Sequence, residues 1–200
     1  MIDDVDLPQP FVMRQRKHLP SVTEILGAAG LGVELNISDT KLAYVLRRGT
    51  ALHSAIELDL AGDLDESSVH DDIRARLDAF RKFAAAVALR PIATEIELSH
   101  PTWKFMGHPD LVGYVNDRVA LIDWKSSVDP HAAHAARLQI AAYDELWRVT
   151  YLEQSIEDHL IIELRADGTF RVHPIDLGDG RQVFLAAVVC WYARKEREKA

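Results

Sequence analysis

The chain has 200 residues, with 23 lysines and arginines against 31 aspartates and glutamates, and a formal net charge of −8. That balance excludes a protein that coats nucleic acid through a general basic surface, so any basic surface must be local. The single cysteine excludes an internal disulfide and any cysteine-based zinc or iron–sulfur site built by one chain, and no apolar stretch reaches the length of a membrane span.

The size suits one domain with a sizeable core, spanning residues 1–200. Residues 1–20 hold Pro8, Pro10 and Pro20 and read as an extended arm. Asp3, Asp4 and Asp6 lie where a signal peptide would be basic and apolar, so a cytoplasmic protein is expected. A helical part over 21–90 opens with Ser21-Val22-Thr23-Glu24, a capping box that predicts a short helix ending near Gly27 to Gly30. Ser38 predicts the cap of a longer helix through about Ala61, with Leu42, Val45, Gly49, Leu52, Ile56 and Leu60 as its apolar stripe and His53 beside it. An acidic loop, Asp63 to Ser68, precedes a third helix from His70 to Leu89 with Ile73, Leu77, Phe80 and Val87 inward.

From residue 91 the apolar period changes from helical to two. Ile92, Thr94, Ile96 and Leu98 alternate with Ala93, Glu95 and Glu97, which predicts a strand. Strands near 104–115 and 118–125 follow, joined by a two-residue turn at Asn116-Asp117. Folding the chain symmetrically about that turn sets Asp110 opposite Asp123, with Lys125 on the same face. Two facing carboxylates repel unless a cation sits between them, and a divalent metal is the natural candidate. The plain alternative is an ordinary hairpin with surface charges. A helix over 131–149 carries the stripe Leu138, Ala142 and Leu146, strands near 158–164 and 169–174 meet at the Asp167-Gly168 turn, and a C-terminal helix begins at about Asp179, within a final segment 176–200. A strand, a helix and a returning strand make a parallel crossover. The expected fold class is therefore α/β, a mixed central sheet over 91–175 flanked by helices.

The pair Gly107-His108-Pro109-Asp110 and Ile122-Asp123-Trp124-Lys125 resembles the signature of the PD-(D/E)XK nuclease superfamily, in its RecB-like, phage-type exonuclease branch. The resemblance spans residues 19–145, including the entry run Leu19 to Leu26. It implies a restriction-endonuclease-like αβββαβ core and a DNA exonuclease of recombination, repair or phage DNA processing, using Mg²⁺ or Mn²⁺. It also implies DNA as partner, as single strands or duplex ends, a recombination or single-strand-binding protein as a further partner, and a bacterial or phage-infected cytoplasm. The lack of a cysteine cluster departs from the iron–sulfur relatives and puts that cofactor out of reach.

On that resemblance, Asp110 and Asp123 are metal ligands and catalytic residues, with the Trp124 backbone carbonyl as a further ligand, and Lys125 positions water and stabilises charge. His53, in Gly49-Thr50-Ala51-Leu52-His53, matches a Gly-x-x-x-His metal ligand; its imidazole suits Mn²⁺ better than Mg²⁺. The bland reading is a core-edge histidine satisfied by backbone. Glu95 matches the acidic residue that precedes Gly-x-x-Asp, with Glu97 as its rival. Gln139 and Tyr143 match a Gln-x-x-x-Tyr pattern on one helix face and, with Ser126, are expected to contact DNA. His131 and His134 are spaced like a zinc pair, but no further ligands stand at a diagnostic distance. The rival functions are a non-catalytic interaction module on the same fold and a metal hydrolase of smaller phosphate esters.

Overall fold

The computed structural model describes residues 19–32, 38–128 and 132–198. Residues 1–18 of the expected arm over 1–20, and the histidine His131, lie outside them. Helices α1 (Val22–Ala28), α2 (Asp39–Ala61) and α3 (Asp71–Ala86) come first, with a 3-10 turn at Glu66–Ser68. Strands β1 (Arg90–Thr94), β2 (Leu98–Ser99), β3 (Met106–Gly107), β4 (Leu111–Val115) and β5 (Arg118–Lys125) follow. Helix α4 (Ala133–Thr150), strands β6 (Asp158–Leu164) and β7 (Phe170–Pro174) and helix α5 (Gly180–Arg197) complete the order.

The caps form as their residue types require. The Ser21 hydroxyl accepts from the Glu24 N–H at 3.2 Å, and the Glu24 carboxylate accepts from the Ser21 N–H at 2.8 Å. Ser38 caps α2 through the Lys41 N–H, and Gly62 ends it in the left-handed conformation. The α2 stripe is buried only over its second half, at Leu52, Ala55 and Ile56; Leu42, Val45 and Gly49 are half-buried.

One sheet has the order β1-β4-β5-β6-β7. Its pairs are antiparallel except β5 with β6, which run parallel through the α4 crossover. This mixed sheet flanked by helices is the αβββαβ arrangement that the sequence leads one to expect. Asn116 and Asp117 both have positive φ, 49° and 66°, as a two-residue hairpin turn demands. The expected register follows, from Val115↔Arg118 to Leu111↔Ile122.

Each sheet face has its own core. Val112, Leu121 and Ile161 face α1, α4 and α5. Leu111, Ile122, Trp124 and Ile162 face α2 and α3. Trp124 is wedged edge-on between Phe80 and Phe83, with ring centroids 5.3 and 5.9 Å apart, so its side chain is core.

Two expected strands are shorter than their patterns. The strand through 92–98 stops at Thr94, because Glu95 takes φ 47° and turns the chain. The strand through 104–115 breaks between Gly107 and Leu111, where Pro109 offers no backbone donor. The released ends pair with each other: Leu98↔Gly107 and Ser99↔Met106 form a separate two-stranded sheet. Both breaks lie at the end of β4 where the acidic residues gather.

Candidate metal centre

Asp110 stands just before β4, one residue beyond the last ladder pair. It therefore does not pair with Asp123 in the ladder as symmetry about the turn predicts. Its Oδ2 accepts the buried Trp124 N–H at 2.7 Å instead, while its backbone carbonyl accepts from the Glu95 N–H at 3.1 Å. Its Oδ1 is left facing α2, where His53 Nδ1 lies 3.4 Å away. The same Nδ1 lies 3.4 Å from Glu95 Oε1. One ligand atom each from His53, Glu95 and Asp110 thus falls within 4.8 Å of the others.

Glu95 gets there through its backbone. A left-handed conformation at a non-glycine residue is costly, and it persists here at the point where a carboxylate is aimed into the cluster. The same turn separates the two glutamates. Glu97 faces His108 at 3.4 Å on the outside, so of the two rivals Glu95 is the one brought into the site.

Asp123 is 1 % exposed and leans the other way. Its Oδ2 meets Lys125 Nζ at 2.7 Å, and its Oδ1 has no hydrogen-bond partner among the described residues. Lys125 Nζ also reaches Gln139 Oε1 at 3.5 Å, and Gln139 Nε2 donates to the Tyr143 hydroxyl at 3.0 Å. The sequence-predicted residues form two linked groups, the cluster His53–Glu95–Asp110 and the row Asp123–Lys125–Gln139–Tyr143. Tyr143 is buried, and its hydroxyl accepts the Gln139 amide. Ser126 Oγ accepts from Arg48 Nη2 at 3.3 Å. His134 lies on α4 near Arg137, away from this cluster.

Burial alone would lower the His53 pKa, but hydrogen bonds to Asp110 and Glu95 and the charges of Asp110 and Asp123 outweigh it and push it up to about 10. Burial and the nearby Asp110 raise Asp123 to about 6, against the pull of Lys125 and His53. Burial would lower Lys125 too, yet the Asp123 and Asp110 charges hold it above the usual lysine value. Three carboxylates around one imidazole make a centre that attracts positive charge. The donor set, one imidazole nitrogen and hard carboxylate oxygens with an unpartnered Asp123 oxygen, fits a divalent cation.

Two residues escaped the sequence reading. Gly107 allows the ring of Tyr143 to approach: a Cβ there would meet Tyr143 Cε1 at 2.7 Å. Its place in Gly-x-x-Asp signalled its importance, though not that contact. Arg48 carried no signal, since its partner Ser126 lies far away in sequence.

No protein-family model matches the chain, and no curated protein matches it in sequence. Among solved structures it is similar to a protein described as an exonuclease from Eubacterium rectale, with 14% identity over 87% of this chain and 72% of that one, TM-score 0.46. It is similar to a phage-related exonuclease from Haemophilus somnus 129PT, with 13% identity over 91% and 96%, TM-score 0.43. An alkaline exonuclease from Laribacter hongkongensis matches at 12% identity over 91% and 95%, TM-score 0.38. These likenesses are distant, and the chemistry rests on the geometry above. In element order and in the residues its central hairpin brings together, the chain resembles the PD-(D/E)XK nucleases.

Proposed function

We propose that the chain is a divalent-metal-dependent DNA nuclease, working as an exonuclease within a single domain. The observation that carries this reading is the convergence of His53, Glu95 and Asp110 beside the ion pair of buried Asp123 with Lys125. His53, Glu95 and Asp110 would hold the ion, with the free oxygen of Asp123 and the Trp124 carbonyl completing the protein's share. A bound Mg²⁺ or Mn²⁺ neutralises charge on phosphoryl oxygens and lowers the pKa of water.

The remaining work falls to this chain's own groups. Asp123 and Gln139 hold the Lys125 ammonium from two sides, which leaves its third proton for a phosphate or the attacking water. There it orients the water and stabilises charge developing on the phosphoryl oxygens in the transition state. Tyr143 fixes the Gln139 amide so that its oxygen faces Lys125. Gln139 and Ser126 stand on the side where the strand would lie. The acidic net charge is no obstacle, because a bound cation offsets the site's carboxylates.

The test is incubation of the purified protein with linear duplex, circular duplex and single-stranded DNA, with Mg²⁺, with Mn²⁺ and with EDTA. Linear DNA should be degraded with either ion, circular duplex should survive, and EDTA should stop the reaction. Intact DNA under every condition would remove the nuclease reading and favour an interaction module or a hydrolase of smaller esters.

A further inference from the structure

Arg48 and Arg76 are neighbouring cations that, among the described residues, make no direct ion pair with a carboxylate. Arg48 lies on α2 five residues before His53, about 7.5 Å back along the helix axis. Its Nη2 donates to Ser126 Oγ at 3.3 Å, and Ser126 directly follows Lys125. The Arg48 guanidinium packs over the Tyr44 ring, 5.5 Å from its centre. Arg76, on α3, donates Nη1 to the Asp72 carbonyl at 3.3 Å, while an Asp72 carboxylate oxygen accepts from the Tyr44 hydroxyl at 3.1 Å. The Nε atoms of both arginines are buried and have no hydrogen-bond partner among the described residues. Burial, then the charge of Arg48, push Arg76 below the usual arginine value, against the pull of Tyr44 and Asp72.

Two guanidiniums that repel each other are an unfavourable arrangement that the nearby Asp72 carboxylate offsets only in part, and a further anion joining them would relieve it. The planar fork of an arginine matches a phosphate, and the Ser126 hydroxyl adds a neutral donor. The bond to Ser126, the residue after Lys125, is what sets the Arg48 guanidinium beside the proposed centre. We propose that Arg48, backed by Arg76 and joined by Ser126, binds a non-scissile phosphate of the strand that enters the metal centre. This rests on the nuclease reading and assigns that site its grip on the substrate backbone.

Binding of short labelled single strands, measured by fluorescence anisotropy in EDTA, tests it without cleavage. Each strand carries one neutral methylphosphonate, moved one position at a time. Wild type should lose about tenfold in affinity at one position, the size expected of a charge-assisted contact. Arg48→Gln should bind the unmodified strand about tenfold more weakly and lose less than about twofold at that same position, because the contact is already gone. Its salt dependence should be shallower by about one counterion. Arg48→Lys should restore part of the affinity. Arg76→Gln provides a second variant, with a smaller coupling at the same position.

Equal losses in wild type and Arg48→Gln at every position, or no strand binding by wild type, would overturn the subsite. Repeating the series on strands ending in phosphate or hydroxyl separates the two sources of phosphate. Coupling in both assigns an internal phosphodiester; coupling confined to the phosphorylated end overturns the internal assignment. Cleavage by wild type with Mg²⁺ is read in parallel. Coupling without cleavage removes the nuclease reading and keeps the phosphate site, and cleavage without coupling does the reverse.

Discussion

Asp110 Oδ2 accepts the Trp124 backbone N–H at 2.7 Å, which ties the segment entering β4 to β5 one residue past Asp123. One carboxylate thereby has two jobs, a structural acceptor on one oxygen and a cluster member on the other. The two jobs can be separated. Asp110→Asn keeps an oxygen for Trp124 but loses the charge. Asp110→Ala leaves a buried N–H without an acceptor, which costs about 1–3 kcal/mol. In EDTA, Asp110→Ala should therefore melt clearly below Asp110→Asn, and neither should gain from Mn²⁺, while wild type gains by mass action. Equal melting temperatures for the two variants would show that the Trp124 bond carries no weight.

Lys125, itself half-buried, pairs with the buried Asp123 carboxylate as well as being the proposed catalytic cation. Lys125→Met should lower cleavage by at least about 10²-fold, the scale on which removal of one charge-stabilising group acts. It should also destabilise the metal-free protein, since the Asp123 carboxylate is left buried without its partner. A divalent cation then becomes the main counter-charge available. The Mn²⁺-induced rise in melting temperature should be at least as large as in wild type. Thermal melts with and without Mn²⁺ decide, and a smaller rise would mean that Lys125 helps to hold the ion rather than the water.

Much of this site is legible in the sequence because hairpin geometry is rigid. Once Asn116-Asp117 fixes the turn, strand alternation places Asp123 and Lys125 on one face and sends Trp124 to the other. The caps at Ser21 and Ser38 are equally local. What the pattern does not carry is where a strand stops. Period-two alternation continues through Glu95 and Glu97, yet the positive φ at Glu95 is set by its surroundings, including the Asp110 carbonyl. The break before Asp110 has a visible cause in Pro109, but the new partner of its carboxylate is a tertiary contact. Arg48–Ser126 joins α2 to the end of β5 and lies beyond any window of local pattern.

The backbone of Glu95 gives a further prediction. At φ 47° asparagine is tolerated far better than a β-branched residue, for which that conformation is an outlier. Glu95→Asn and Glu95→Val both remove the carboxylate, so both should lose most cleavage. In EDTA the valine variant should be less stable than the asparagine variant by about 1–2 kcal/mol, read from denaturant midpoints. Equal midpoints would place the turn elsewhere.

Gly107 connects the motif to its lysine through packing. An added methyl at this position would overlap Tyr143 Cε1 at 2.7 Å and press on Leu146 Cδ1 at 3.0 Å. Both neighbours are buried, so relief means moving the Tyr143 ring, and Gln139 with it. Gly107→Ala should cost about 1–3 kcal/mol, the usual range for overpacking. It should also lower kcat more than it raises KM, because the disturbed row ends on Lys125. Tyr143→Phe is the matching test without overpacking: it removes only the hydroxyl and should lower kcat with a small effect on stability. Full activity in Tyr143→Phe would detach Tyr143 from the catalytic row.

Away from the metal centre, the buried His100 predicts how the fold responds to acid. Its Nδ1 accepts from the Thr102 and Trp103 N–H groups at 3.1 and 3.0 Å, so no proton can be added there without losing both. Its Nε2 meets Glu145 Oε1 at 3.2 Å. Glu145 in turn is held by Arg148 and Arg181. Burial, helped by the two arginines, keeps His100 below the ordinary histidine value despite Glu145. The unfolded chain therefore binds a proton near pH 6.5 that the folded chain does not, and stability falls as pH drops through and below that value. His100→Asn keeps an acceptor for the two N–H groups and has no proton to gain. Denaturant midpoints at pH 7 and pH 5 should fall less between the two for His100→Asn than for wild type, even if the variant is the less stable of the two at pH 7. An equal or steeper fall in the variant would show that His100 takes up its proton as readily in the folded chain as in the unfolded one.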